Sequence, residues 1–150
     1  MLEKVISGGQ TGADRGGLEA ARTVVVDTGG FAPKGFMTED GPDPTLRERY
    51  GLVEHPSSDY CARTEANVLE SCGTALFGNT FSAGSLLTRS LCRKHKKPII
   101  ENPTPETLKD FMLKHDITIL NVAGNRESKN PGIYDATRQI VESAITMLWR

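Results

Sequence analysis

The sequence predicts a single-domain α/β protein: a three-layer, doubly wound, Rossmann-like sheet, mostly parallel, with helices on both faces. Three observations carry that expectation. Short apolar runs too brief for helices recur along the chain, each followed by a turn and then by a segment of helical spacing. Strands that alternate with helices form parallel sheets, because right-handed crossovers carry the helices over both faces. Finally, 150 residues with 37% hydrophobic content and a formal net charge of −1 suit one domain around one core.

Taken in order, Lys4–Ser7 (KVIS) reads as a buried strand. It runs into SGGQTGADRGG, residues 7–17, which holds five of the fifteen glycines. A helix over Ala13–Val24 follows, with Leu18, Ala20 and Ala21 at helical spacing and Asp14 complementing the dipole in its first turn. Residues 29–44, rich in glycine, proline and acid, form a long irregular stretch, read as a functional loop that walls a site. Leu52–Glu54 reads as a short strand, and Ser58-Asp59 as the N-cap of a helix to about Leu69. Thr74–Phe77 is the next buried strand, followed by a second glycine and hydroxyl turn, Asn79–Ser85, and a helix ending near Lys94. Pro98–Ile100 and Thr118–Val122 are further strands on either side of a helix over Pro105–His115. The last helix spans Ile133–Leu148, with Ile133, Ala136, Ile140, Ala144 and Met147 along one face.

Composition and spacing exclude several functions. No apolar run approaches the ~20 residues that span a bilayer, and the N-terminus lacks the pattern of a signal peptide, so a cytoplasmic protein without a membrane partner is expected. The near-neutral charge argues against nucleic acid. Cys61, Cys72 and Cys92 form no CxxC pair and read as reduced thiols. His55, His95 and His115 share no ligand spacing, so no protein-bound metal is expected.

In doubly wound sheets ligands sit at the carboxyl ends of the strands, where three loops gather chemistry. The first, residues 7–17, has neither the lysine and hydroxyl of a Walker A loop nor a clean GxGxxG with a ribose-reading acid. What it offers is glycines that let backbone approach an anion at a helix start. The second, around Ser82, Gly84 and Ser85, repeats that arrangement or is a flexible connector. In the third, Asn121–Ser128, Arg126 suits an anion clamp and Ser128 a hydrogen-bond donor, the alternative being a solvated polar loop. Arg63 is open to two readings, a solvated pair with Glu65 or an arginine presented to phosphate. Arg89, Arg93, Lys94, Lys96 and Lys97 read as a solvated helix end.

SGGQTGADRG, GGFAPKG, EDG, SDYCARTEANVLES, GTALF, LLT, KP and LNVAGNRESKNPGIY, in that order over nearly the whole chain, resemble the molybdenum cofactor carrier family of the lysine-decarboxylase-like Rossmann proteins. The resemblance implies a homo-oligomer, dimer or tetramer, that binds molybdenum cofactor (molybdopterin) and stores it or passes it to molybdoenzyme acceptors, without catalytic residues. It implies a main phosphate loop of Gly8, Gly9, Gln10, Thr11 and Gly12, with Lys34, Arg63, Asn121, Arg126 and Ser128 as neighbouring contacts. Related phosphoribohydrolases carry GGxGTxxE. Here Ser82-Ala83-Gly84-Ser85 replaces the glycine pair, Cys72-Gly73-Thr74 lacks the usual acid, and Leu86, Leu87 and Thr88 offer no glutamate. Glu65 or Glu127 would serve only if the fold brought one close. The alternatives are a nucleoside-monophosphate phosphoribohydrolase-like enzyme and a sensor of a NAD-derived nucleotide.

Overall fold

Val5 and Ile6 are fully buried, because the strand that carries them, β1 (Lys4–Ile6), lies between two helical layers. A computed structural model describes all residues, 1–150. The chain continues through α1 (Ala13–Thr23), β2 (Asp27–Gly29), β3 (Phe31–Ala32), a 3-10 turn at Lys34–Phe36, β4 (Met37–Thr38), β5 (Gly41–Pro42), α2 (Thr45–Tyr50) and β6 (Val53–Glu54). Then follow α3 (Tyr60–Glu70), β7 (Gly73–Phe77), α4 (Ala83–Lys94), β8 (Ile99–Glu101), α5 (Pro105–Lys114), β9 (Ile119–Gly124) and α6 (Ile133–Leu148).

The five-stranded sheet has the order β2-β1-β9-β7-β8, and every pairing is parallel. Its register sets Val5 opposite Leu120 and Ala75 opposite Val122. Helices α1, α5 and α6 cover one face around Leu108, Phe111, Val141 and Ile145. Helices α3 and α4 cover the other through Val68, Leu91 and Cys92. The expected three-layer Rossmann-like α/β fold is the one observed. No helix is long and apolar enough to cross a membrane.

Side-chain size explains why α1 lies so close to the sheet. A Cβ on Gly17 would fall 2.6 Å from the Val122 Cβ, so this glycine serves helix packing. Its neighbour Gly16 meets α6, where an added Cβ would lie 2.6 Å from the Tyr134 carbonyl oxygen and 3.0 Å from the Thr137 Cβ. That contact also corrects the expected face of α6. The buried stripe is Ile133, Thr137, Val141, Ala144 and Ile145, whereas Ala136 is exposed and Ile140 and Met147 are half-buried.

The stretch expected to be irregular is ordered by its own small core. Ala32, Phe36, Leu46, Tyr50 and Leu52 close over Leu18 of α1. The strand expected at Leu52–Glu54 is β6, which pairs with β3 in a separate two-stranded sheet. The fifth strand of the main sheet is instead the polar edge strand β2, held by its pairing to β1. The remaining expected elements fall within two residues of the observed ones, except that α4 already begins at Ala83, inside the expected turn Asn79–Ser85.

A cleft at the sheet switch point

Strands β7 and β9 are neighbours, yet the helices that follow them pack on opposite faces. Their two departing loops therefore diverge and leave a crevice at the carboxyl ends of the strands. A cavity of about 420 Å³ occupies that place, lined by Asn79, Ser82, Ala83, Gly84, Gly124, Asn125, Arg126 and Lys129. Its floor is the start of α4. Ser82 caps the helix by accepting from the Ser85 N–H at 3.3 Å, and its hydroxyl also accepts from Asn125 Nδ2 at 3.2 Å. The Asn125 side chain ties the two loops further, accepting from the Asn79 N–H at 2.6 Å and donating to the Asn79 carbonyl at 3.3 Å.

No atom lies within 4 Å of where a Cβ on Gly84 would stand, so the first turn of α4 faces open space. Unpaired N–H groups and the helix dipole give such a turn a partial positive charge. Arg126 and Lys129 border it, both exposed and neither in an ion pair. Two cations without an ion-pair partner beside a helix start leave this end of the cavity positively charged.

Behind it lies a narrower cavity of about 130 Å³ that shares Gly84, Gly124 and Arg126 with the first. Here Gly8, Gln10, Asp14, Arg63, Asn67 and Asn121 converge. The glycine loop is folded around the chain's own carboxylate. Gly9 N–H donates to Ser7 Oγ at 3.2 Å, and Gln10 N–H donates to Asp14 Oδ2 at 3.2 Å. Burial raises Asp14 to a pKa of about 6 against the pull of Arg63, the Gln10 N–H, Arg15 and the Gly8 N–H.

Arg63 turns inward from α3, exposing 11% of its side chain. Its Nη1 stands 3.9 Å from Asp14 Oδ2, its guanidinium lies over the Tyr60 ring at 5.2 Å, and its Nε has no partner. Burial lowers its pKa, and Asp14 acts in the opposite direction. Gln10 is likewise half-satisfied: Nε2 donates to the Met37 carbonyl at 3.0 Å, while the buried Oε1 accepts nothing. The solvated pairing of Arg63 with Glu65 is not formed, because residues two apart on a helix face opposite sides. Glu65 accepts instead from His95 at 2.7 Å and Lys94 at 3.1 Å, at the far end of α4.

The structure thus brings Gly8, Gln10, Arg63, Gly84, Asn121 and Arg126 to one cavity, and Ser82, Gly84 and Arg126 to the other. Ser85 is buried behind Ser82. Gly9 and Lys34 line neither. Thr11, Gly12 and Ser128 face a third cavity of about 780 Å³, whose wall includes Glu39, Asp40, Asp43 and Glu127. There the hydroxyls of Thr11 and Ser128 donate to the Glu39 carboxylate. Those hydrogen bonds hold Glu39 below the usual glutamate range. Glu127 caps α6, accepting from the Gly132 and Tyr134 N–H groups at 2.7 and 3.0 Å.

Asn125 and Lys129 are not among the candidates read from the sequence, and Asp14, expected to complement the dipole of α1 from its first turn, is there but also fills the glycine loop. A spacing signal existed for Lys129, since Arg126 and Lys129 stand three apart in one polar loop. No cluster of three or more His, Cys, Asp or Glu able to hold a metal ion is present.

These features define a class: a Rossmann-like α/β protein with a cationic, two-part cleft at its switch point. The chain belongs to the circularly permutated YpsA SLOG family, whose model matches residues 5–145. It is similar to a crystal structure at 1.45 Å resolution described as a "Putative molybdenum carrier protein" from Syntrophus aciditrophicus SB. Identity is 39%, the TM-score is 0.86, and the match covers 96% of this chain and 95% of that one. No curated protein matches the chain.

Proposed function

We propose that this chain binds molybdenum cofactor in the switch-point cleft and stores or carries it to acceptor enzymes. The observation that carries the reading is the open start of α4 flanked by the unpaired Arg126 and Lys129. A terminal phosphate fits that receptor through charge-assisted hydrogen bonds. The cofactor's molybdenum sits on its own dithiolene, so this cargo asks for no protein ligand cluster. The resemblance over nearly the full chain to a protein described as a "Putative molybdenum carrier protein" supports a molybdenum-bearing ligand.

This reading moves the phosphate from the Gly8–Gly12 loop to the Ser82–Gly84 turn. Two N–H groups of the first loop are already committed to Ser7 and Asp14, whereas the second turn opens on space. Binding without N-glycosidic cleavage is favoured by the two candidate carboxylates: Glu65 is engaged with His95 and Lys94, and Glu127 with the start of α6.

The test is titration of the purified protein with molybdenum cofactor, and separately with inorganic phosphate, by calorimetry. Wild type binds both, and Gly84→Asp and Arg126→Ala weaken both. Failure of wild type to retain cofactor above background overturns the carrier reading.

A further inference from the structure

Thr11, Gly12 and Ser128 lie outside the cleft, and the first glycine loop has few donors left for an anion. The Gly9 and Gln10 N–H groups go to Ser7 and Asp14, and the Ala13 N–H at the start of α1 donates to the Asn125 carbonyl at 3.1 Å. What covers that helix start is the chain itself. The loop from β9 to α6 crosses Gly12 so closely that a Cβ there would fall 2.4 Å from the Asn125 carbonyl oxygen and 2.7 Å from the Glu127 nitrogen. Gly12 also holds a φ of 84°, so conformation and space both require glycine.

The same loop is tied down from the side. Thr11 Oγ1 accepts from the Glu127 N–H at 3.3 Å and donates to the Glu39 carboxylate. Glu39, between β4 and β5, accepts in addition from the Ser128 hydroxyl and, at 3.4 Å, from the Ser128 N–H. Within the loop, the Arg126 carbonyl accepts from the Lys129 and Asn130 N–H groups, both at 3.1 Å, so residues 126–130 form one turn. That turn carries both cations of the cleft, and the two residues anchored to Thr11 and Glu39 stand between them in the chain.

We infer that Thr11, Gly12 and Glu39 form a seat for this turn and are positioning residues that hold Arg126 and Lys129 beside the start of α4. The first glycine loop then serves the phosphate contact by fixing its cations, without touching the ligand. This inference rests on the proposed function, since it says how the charged side of that same site is kept in place. Arg126 and Lys129 are exposed side chains, and a fixed backbone beneath them lowers the ordering cost that binding has to meet.

Calorimetric titration with inorganic phosphate tests it in variants that leave the cleft lining untouched. Thr11→Val removes both hydroxyl contacts without a change of charge and is expected to weaken phosphate binding about threefold to tenfold, whereas Thr11→Ser stays within about twofold of wild type. Glu39→Ala gives a test of sign, because Arg126 lies near enough to attract this carboxylate. By Coulomb's law alone, losing that negative charge tightens anion binding, whereas loss of the seat weakens it about threefold or more. In an Arg126→Ala background, Thr11→Val is expected to cost about twofold or less, because its effect runs largely through the missing side chain. Unchanged or tighter binding in either Thr11→Val or Glu39→Ala overturns the inference and leaves the phosphate contact standing. An undiminished effect of Thr11→Val in the Arg126→Ala background also overturns it, because the loss is then a general loosening. A wild type that binds no phosphate overturns the phosphate contact and the seat together.

Discussion

Replacing Asp14 by asparagine isolates the energetic burden of the carboxylate beneath the cleft. Asp14 is the only charged residue among the buried ones, and its pKa rises from 3.8 to about 6 because burial outweighs the attraction of Arg63 and Arg15. A group whose pKa is higher in the folded than in the unfolded state binds its proton more tightly when folded. The stabilising contribution is therefore complete below pH 3.8 and is lost as pH rises through about 6. At about 1.4 kcal/mol for each pKa unit, the loss by pH 8 is on the order of 3 kcal/mol. The asparagine side chain of the Asp14→Asn variant carries no charge at any pH, and its carbonyl oxygen can still accept from the Gln10 N–H. Urea unfolding of both proteins between pH 4 and pH 8 should show the stability of the variant minus that of wild type growing by that amount. A difference that stays flat, or grows toward acid, would refute the account of Asp14 as a desolvated carboxylate.

Four other outcomes are expected. Gly84→Asp folds with an unchanged melting temperature, because nothing occupies the space of its side chain, and loses phosphate binding in calorimetry through like-charge repulsion. Gly17→Ala pushes a methyl group into Val122 and lowers stability by roughly 1–3 kcal/mol in urea unfolding. Leu120→Ala, at a fully buried position in the central strand, costs about 2–5 kcal/mol in the same assay. Glu39→Gln weakens the contact with Thr11 and Ser128, so hydrogen exchange of the Ser128 amide quickens. For wild type, the lowered pKa of Glu39 means that this contact is complete at neutral pH and is lost as pH falls below the ordinary glutamate range, with a smaller protection factor at the Ser128 amide in acid once the intrinsic exchange rate is divided out.

Much of the fold was legible because strand, turn and helix each left a local mark. Asp59 and Thr104 cap α3 and α5 from the positions their side chains suggest. The apolar run Thr74–Phe77 sits buried throughout. The misses have physical causes. Strand β2 is Asp-Thr-Gly, a composition poor in strand formers, and only its register against β1 makes it a strand. Helix α2 has six residues, too few for periodicity, although Pro44 and the left-handed Gly51 bracket it. The site was legible by residue type and opaque by assignment. Arg63, Asn121 and Arg126 do converge, but the sequence could not reveal that Asp14 already fills the first loop or that Glu39 takes Thr11 and Ser128. The Glu39 contacts join segments far apart in the chain, and the Asp14 contact, though only four residues long, depends on a loop conformation that residue spacing does not specify.

The place of β9 bears on how the molecule comes into being. This strand is made last of the five and lies in the middle, between β1 and β7. A nascent chain that stops short of Ile119 has two separate ribbons, β2-β1 and β7-β8, with two strands each and a bare edge facing the gap. Two-stranded ribbons are marginal in water. Closing the gap pairs Ile119–Gly124 with Lys4–Ile6, more than 100 residues away, a non-local step that is intrinsically slow. The sheet should therefore close in a single late event, once Ile119–Gly124 has been synthesised, and the unfilled edges before that moment are where a growing chain is most exposed to aggregation.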